Sequence, residues 1–160
     1  MLSIRLFPDP ILRKKAAKIT VFDSTLTSTI EKLDRIMRAQ VSGIGIAAPQ
    51  VGLPIQLAIV DVSGRVSGAQ RIVLINPIIL SLEQEKLSRE GCMSLPEYTG
   101  NIKRYECVKY AYQQIDGKRV VRESSGIEAI CVQHEIDHLQ GRLFLDHIVS
   151  LKRDLIPRPK

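Results

Sequence analysis

The sequence predicts an α+β fold, in which short antiparallel or mixed sheets pack around a central helix and a long N-terminal helix lies outside them. Two apolar runs, "IQLAIVDV" (55–62) and "RIVLINPIIL" (71–80), predict strands because they are rich in β-branched residues. Residues 105–121 alternate with a period near two around Asp116 and Gly117, which predicts a hairpin. Such short connections, without regular alternation of strands and helices, favour α+β over α/β.

Two helices follow from the apolar spacing. Between Thr25 and Gln40 the apolar residues recur at three- and four-residue steps, which predicts the long N-terminal helix. A second helix is predicted over about residues 126–140. Ser125 and Glu128 have the spacing of a capping box at its start, in which the two side chains satisfy exposed backbone donors.

Length and composition are those of one globular domain. With 160 residues, 44% hydrophobic and 25% charged, we expect a single domain over residues 1–160 and a short basic tail over residues 151–160. No apolar run approaches the ~20 residues of a membrane helix. Three widely spaced cysteines do not form a disulfide framework and favour a reducing, cytoplasmic location. An organelle matrix or stroma stays open, because a chain that had lost its targeting segment would look the same.

The formal net charge of +6 has two interpretations. The simpler one is a solvated basic surface. A positive field would also attract a polyanion such as RNA, and the segment "LKRDLIPRPK" (151–160) is notably basic. Against this, aromatic residues make up only 4% of the chain and no RNA-binding motif is present, so base-stacking platforms are scarce.

The segment "VQHEIDHLQGRLF" (132–144) carries the clearest chemical pattern, with two histidines four residues apart around a glutamate. Positions four apart share a helix face, so His134 and His138 can reach one metal ion while Glu135 acts on water. The second helix is therefore the central HExxH helix of the predicted fold. Because the pattern also arises by chance in helices, the third ligand decides its meaning.

The residues themselves place that third ligand upstream. Position 144 is Phe where a metzincin-type pattern has a histidine, and no glutamate follows the motif as thermolysin-like enzymes require. Cys131 shares the helix face, but about 10 Å of helix separates it from the second histidine, too far for one ion. Three downstream candidates remain without a supporting motif: Asp146, His147 and Asp154.

Three segments together resemble a known family. "GIGIAAPQ" (43–50), "EGCMS" (90–94) and "QHEIDHL" (133–139) are similar, in order and separation, to the three signature motifs of the peptide deformylases. "PDPILR", "LINP" and "GRLFLD" also resemble family sequence, so the likeness covers about residues 4–150. It implies a metal-dependent hydrolase that removes the N-formyl group from the N-terminal formyl-methionine of nascent polypeptides and releases formate.

The resemblance also implies a catalytic set. Glu135 would be the general base, and the Gln50 side-chain amide with the Met93 backbone N–H would stabilise the developing oxyanion. Without the motif, Gln50 would be interpreted as a loop residue that hydrogen-bonds backbone. One divalent metal is implied, with Fe²⁺ as the native ion and Zn²⁺, Ni²⁺ or Co²⁺ able to substitute. Its ligands would be Cys92, His134 and His138.

Further residues are implied around this centre. Glu90 and Arg104 would support the metal centre from nearby. Arg104 would do so through an ion pair that steadies the Cys92 loop, and its alternative role is that of a solvated charge on a strand. Gly43 and Gly45 would bind the substrate, and their alternative role is to permit tight turns of the backbone. Met93 departs from the usual leucine of the family, which should change pocket shape more than mechanism. The implied substrate-binding residues are Gly43, Ile44, Gly45, Ile127, Ile130 and Cys131.

The implied partners are formyl-methionine nascent peptides, with no membrane, and the chain is expected to be a monomer. Many bacterial members end in a further helix that contributes to ribosome docking. Here Pro157 and Pro159 break any such helix, so only electrostatic contact of the basic surface with ribosomal RNA is expected.

Two functions from other classes compete with this interpretation. A zinc endopeptidase would also carry HExxH, but the missing downstream ligand and the "EGCMS" segment argue against it. A non-catalytic basic binding protein could retain the fold, yet such copies typically lose one of the reacting residues.

Overall fold

The computed structural model describes residues 2–159, and its named strands form one sheet in which all the pairs are antiparallel. The strands are β1 (Gly45–Ala47), β2 (Leu57–Val60), β3 (Ile72–Cys92), β4 (Leu95–Gln113), β5 (Arg119–Ser125) and β6 (Leu155–Pro157). Their order is β1-β2-β3-β4-β5, and β6 pairs with β4. The helices are α1 (Ser24–Arg38), α2 (Gly126–Leu139) and α3 (Leu151–Asp154), with 3-10 turns at Pro10–Arg13, Ala48–Val51 and Phe144–His147.

The α+β class with antiparallel strands is confirmed, and the two central strands of the sheet are long. β3 and β4 extend over 21 and 19 residues and pair along most of their length. Pro77 cannot donate a ladder hydrogen bond, and it shifts the register between Ile75 and Ile78 without ending the strand. The hairpin between β4 and β5 turns at Asp116 and Gly117, where Gly117 has φ 84°.

Helix α2 is the central helix, because it packs against β1, β2, β4 and β5. Its apolar side chains join those of the sheet in the largest buried cluster, and they are Ala129, Val132, Ile136 and Leu139. This packing fixes the orientation of the polar face of α2. Helix α1 packs mainly on β1 and contributes to a second cluster through four buried side chains: Leu26, Ile30, Leu33 and Met37. No helix within residues 2–159 is long and apolar enough to cross a membrane.

The start of α2 differs from the predicted capping box. Ser125 is the N-cap residue, but its side chain makes no capping hydrogen bond. Instead, the Ser124 hydroxyl donates to Glu128 Oε1 at 2.6 Å. Both serines still belong to β5, where successive side chains point to opposite faces, so Ser124 is the one that faces inward.

The basic tail is part of the sheet. Strand β6 pairs with β4 at Thr99 and Gly100, and Leu155 packs beside Phe144 in a small cluster that includes Cys92. Helix α3 has only four residues, so the described part of the tail, residues 151–159, has no long helix. The Arg158 side chain in this tail contacts Gly91 near the end of β3.

Candidate metal centre

Three side chains converge where the end of β3 meets α2. Cys92 is the last residue of β3, while His134 and His138 lie one turn apart on α2. The Cys92 Sγ lies 3.4 Å from His138 Nε2, which lies 3.2 Å from His134 Nε2. All three candidate ligand atoms lie within 4.8 Å of one another. The downstream candidates are held by other side chains: His147 by Asp137, Asp146 by Arg13, and Asp154 by Arg153.

These separations suit a divalent ion. Tetrahedral bonds of about 2.0–2.1 Å to nitrogen and about 2.3 Å to sulfur separate two nitrogens by about 3.3 Å, and a nitrogen from a sulfur by about 3.6 Å. The observed 3.2 Å and 3.4 Å are close to both values. Three protein ligands, rather than four, are typical of a catalytic site that keeps one position for water or substrate.

The electrostatics of the cluster favour a cation. Burial disfavours a charged Cys92 thiolate, but the His138 and His134 imidazoles outweigh it and hold the pKa of the thiol well below its usual range. Burial also disfavours a protonated His134, yet the hydrogen bond with Cys92 and the charge of Glu135 raise its pKa. The lowered pKa of Cys92 indicates that its thiolate, the form that binds a metal ion, is stabilised. The raised pKa of His134 indicates that a positive charge beside this thiolate is stabilised.

Glu135 is buried beside the cluster and faces the adjoining cleft. Burial raises the pKa of its carboxyl group, although the neighbouring His134 and His138 oppose that shift. Within residues 2–159, its Oε1 has no hydrogen-bond partner. Gly45 allows this placement, since a Cβ there would lie 2.5 Å from Glu135 Oε2 and 2.6 Å from Cys131 Sγ. A carboxyl group held in this way can exchange a proton with a molecule in the cleft.

The Gln50 side chain is fixed at the same spot. Its Oε1 accepts a hydrogen bond from the Ala47 N–H at 2.9 Å, and its Nε2 donates to Ser94 Oγ at 3.1 Å. The same Nε2 lies 3.5 Å from Cys92 Sγ. Gln50 therefore does hydrogen-bond with the backbone, as the simpler interpretation predicts. The same hydrogen bond orients the side chain so that its Nε2 faces the metal cluster. Met93 follows Cys92 in the turn to β4 and also lines the cleft.

A buried ion-pair network contacts His134 on the side of its ring away from the metal cluster. Arg104 donates through Nε and Nη2 to Glu90, at 2.6 Å and 2.9 Å, and through Nη1 to Asp137 Oδ2 at 2.7 Å. Glu90 Oε1 lies 2.8 Å from His134 Nδ1, which leaves Nε2 to face the cluster. Burial opposes ionisation of Glu90, but His134 and Arg104 lower its pKa to about 2. Arg104 is 3% exposed, so the solvated-charge interpretation of this residue is wrong.

An open cleft of about 690 Å³ leads to the cluster. Five of the six predicted substrate-binding residues line it: Ile44, Gly45, Ile127, Ile130 and Cys131. Burial raises the pKa of the Cys131 thiol, which is therefore neutral. Gly43 lies outside the cleft wall, where its backbone approaches the Met37 carbonyl oxygen so closely that a Cβ would overlap it.

Several site residues are not apparent from sequence patterns. Asp137 has a signal, since it is a charged position inside the otherwise buried HExxH helix. Ser94 belongs to the "EGCMS" segment and His147 is among the downstream candidates, but neither contact that they make, with Gln50 and with Asp137, follows from a sequence pattern. Arg158 has no signal beyond its basic segment.

Comparison with known proteins agrees with this geometry. The family model described as polypeptide deformylase matches residues 1–154. The chain is 42% identical over 156 residues to the peptide deformylase of Desulfotalea psychrophila, covering 97% of this chain and 92% of that one. It is 44% identical over 155 residues to that of Thermodesulfovibrio yellowstonii, covering 97% and 93%. The crystal structure of peptide deformylase from Thermotoga maritima is similar with a TM-score of 0.86 and 40% identity, over 94% of this chain and 99% of that one. The chain therefore belongs to the polypeptide deformylase family.

Proposed function

We propose that this chain is a metal-dependent hydrolase that removes the N-formyl group from the N-terminal formyl-methionine of nascent polypeptides and releases formate. One observation carries the proposal, namely the cluster of Cys92, His134 and His138 with Glu135 beside it at the base of an open cleft. Membership of the polypeptide deformylase family supports the same activity. We propose further that residues 1–160 act as one catalytic unit.

The described side chains suit the steps of this reaction. Glu135 is placed to take a proton from the attacking water and to return it to the departing amine nitrogen. The Gln50 amide and the Met93 backbone N–H would donate to the formyl oxygen as it gains negative charge. When bound, the metal supplies Lewis acidity, which lowers the pKa of water from 15.7 towards ~7. The residues that would hold it are Cys92, His134 and His138.

The cleft suits an apolar side chain next to a peptide backbone. Ile44, Ile127 and Ile130 offer an apolar wall for the methionine side chain, and the neutral Cys131 thiol extends it. Gly45 leaves room for close approach of the substrate backbone. We therefore propose that these residues form the methionine subsite.

Formate release tests the function and the metal together. We propose Fe²⁺ as the native ion, with Zn²⁺, Ni²⁺ or Co²⁺ able to substitute, since one thiolate and two imidazoles suit all four. Protein purified without oxygen and loaded with Fe²⁺ should release formate from formyl-Met-Ala-Ser, lose this activity on chelation and regain it with Fe²⁺. Exposure to air should inactivate the iron form faster than the nickel form, because O₂ oxidises Fe²⁺ far more readily than Ni²⁺, and the reactive oxygen formed in this way can oxidise Cys92.

The control for that assay is the same peptide without the formyl group. Cleavage of an internal peptide bond in either peptide, without formate, would indicate an endopeptidase instead. No formate from metal-loaded protein would contradict the proposed function.

Substituting Gln50 tests the oxyanion role. Gln50→Glu keeps an oxygen that can accept from the Ala47 N–H but removes the amide donor beside Cys92. We expect kcat to fall by ~10²–10³ with a smaller change in KM. Metal content is measured on the same sample as the control, because a loss of metal would by itself lower kcat. An unchanged kcat would assign Gln50 a purely structural role.

Contact with the ribosome is proposed on electrostatic grounds. The chain carries a net charge of +6, and Lys152 and Arg153 are exposed on α3. Cosedimentation with ribosomes across a salt series tests this contact, and no association at the lowest salt concentration would contradict it. We also propose a monomer in the cytoplasm, which gel filtration and fractionation would test.

A further inference from the structure

The tail brings an arginine to the wall of the substrate cleft. Just beyond β6, the Arg158 backbone N–H donates to the Glu97 carbonyl oxygen at 2.8 Å. From there the side chain crosses to the end of β3, where its guanidinium packs against Gly91. A Cβ at Gly91 would overlap Arg158 Nη2, so the glycine leaves room for the guanidinium in this position. Gly91 directly precedes Cys92, and the guanidinium therefore lies close to the reacting centre.

The backbone that carries this side chain is held in place by other residues of the tail. Strand β6 pairs with Tyr98, Thr99 and Gly100, and Leu155 packs in the cluster that contains Cys92. The tail is thus held by backbone hydrogen bonds and by apolar burial, rather than by Arg158 itself. Changing the Arg158 side chain should leave the strand in place.

Two more arginines line the same cleft, Arg65 in the loop after β2 and Arg89 on β3. Within residues 2–159, neither of them nor Arg158 has a carboxylate within ion-pair distance. The two carboxylates of the cleft wall, Glu90 and Glu135, are both buried, and Glu90 is already paired inside the site. The mouth of the cleft is therefore positively charged.

We propose that Arg158, together with Arg65 and Arg89, makes the enzyme selective for formylated peptides that carry an acidic side chain shortly after the methionine. This inference rests on the proposed function, because the formyl group must lie beside Glu135 for the following residues to pass the cleft mouth. A concave site lined by charges of one sign raises the local concentration of oppositely charged ligands. A guanidinium also offers paired donors that match a carboxylate.

Competing peptides test the selectivity. We would compare kcat/KM for formyl-Met-Ala-Asp-Ser and formyl-Met-Ala-Lys-Ser at low and high salt, with formyl-Met-Ala-Asn-Ser, which has the same C-terminus and an uncharged side chain, as the reference. The enzymes are the wild type, Arg158→Gln, which removes the charge at similar length, and Arg158→Lys, which keeps it. Lys152→Gln is the matched control, since it removes an exposed positive charge from the tail outside the cleft.

The wild type should prefer the acidic peptide over the lysine peptide by about fivefold at low salt, and less at high salt. Arg158→Gln should remove most of this preference by raising KM for the acidic peptide, with a much smaller change for formyl-Met-Ala-Asn-Ser. Arg158→Lys and Lys152→Gln should keep the preference.

Three results would overturn the inference. One is equal rates of the wild type with both charged peptides, which would leave the proposed function intact. Another is an equal loss by Arg158→Gln on all three substrates, which would make Arg158 a structural anchor of the tail. The third is no formate release from formyl-Met-Ala-Asn-Ser by metal-loaded wild type, which would remove the proposed function as well.

Discussion

Glu135→Gln is expected to lower the rate of formate release by ~10²–10⁴-fold while metal content stays at the wild-type level. The substitution keeps the size and shape of the side chain but removes its ability to take up a proton. Metal content should not change, because the ligand atoms belong to Cys92, His134 and His138. The measurement is kcat for formyl-Met-Ala-Ser, beside metal analysis of the same protein.

The surroundings of Glu135 give the reason for so large an effect. Its carboxyl group is 3% exposed, and burial raises its pKa, so it binds a proton more readily than an ordinary glutamate does. A raised pKa brings a general base closer to neutral pH, where transfer in both directions is efficient. The stability of the protein should be unchanged or higher in Glu135→Gln, since a buried charge without a full set of partners is itself destabilising.

Glu128→Gln on the same helix is the matched control. Glu128 bonds with Ser124 and Arg122 outside the metal cluster, so the control should keep the wild-type rate. If Glu135→Gln keeps its rate within a factor of ten of the wild type, Glu135 is not the base. If the variant loses metal together with activity, its lower rate reflects damage to the metal site and not a defect in proton transfer.

The parts of the site that could be predicted are those whose geometry is local. His134, Glu135 and His138 lie on one helix, and helix geometry alone brings the two imidazoles together. Cys92 follows from no local rule, and its place in the metal set came from the likeness of its segment to a family motif. The structure brings it to the histidines through β3 and β4, strands of 21 and 19 residues whose pairing runs from Ile75 and Gln113 to Cys92 and Leu95.

Other features could not be predicted because they depend on long-range register. Pro77 predicts, from the sequence, either an end or a bulge of its strand, and only the pairing with β4 decides for the bulge, which is the register shift between Ile75 and Ile78. Ser124 replaces Ser125 as the partner of Glu128, since the strand phase at the end of β5 decides which serine faces inward. Likewise, nothing around Arg158 in the sequence indicates that β6 pairs with β4 and directs that side chain to Gly91.

Arg104→Met is expected to lower the free energy of unfolding by ~3–5 kcal/mol at neutral pH, because it leaves buried carboxylates without their counter-charge. Arg104 is the cation between Glu90 and Asp137, and its side chain is 4% exposed. Urea unfolding of the wild type and the variant measures the loss. Lys86→Gln is the control, since Lys86 lies opposite Arg104 in the β3–β4 ladder and pairs with Glu106 near the surface. That exposed pair should contribute less than about 1 kcal/mol.

The pH dependence of the loss distinguishes lost charge pairing from lost packing. Glu90 has its pKa lowered from 4.5 to about 2, so it stabilises the folded wild type fully above pH 4.5 and loses this effect as the pH falls towards 2. The deficit of Arg104→Met should therefore shrink as the pH falls below 4.5, where the unpaired carboxylates take up protons. Adding Glu90→Gln to the variant should recover part of the stability at neutral pH, since one buried charge is then removed. A deficit that is the same at pH 7 and at pH 3.5 would instead mean that Arg104 acts through packing.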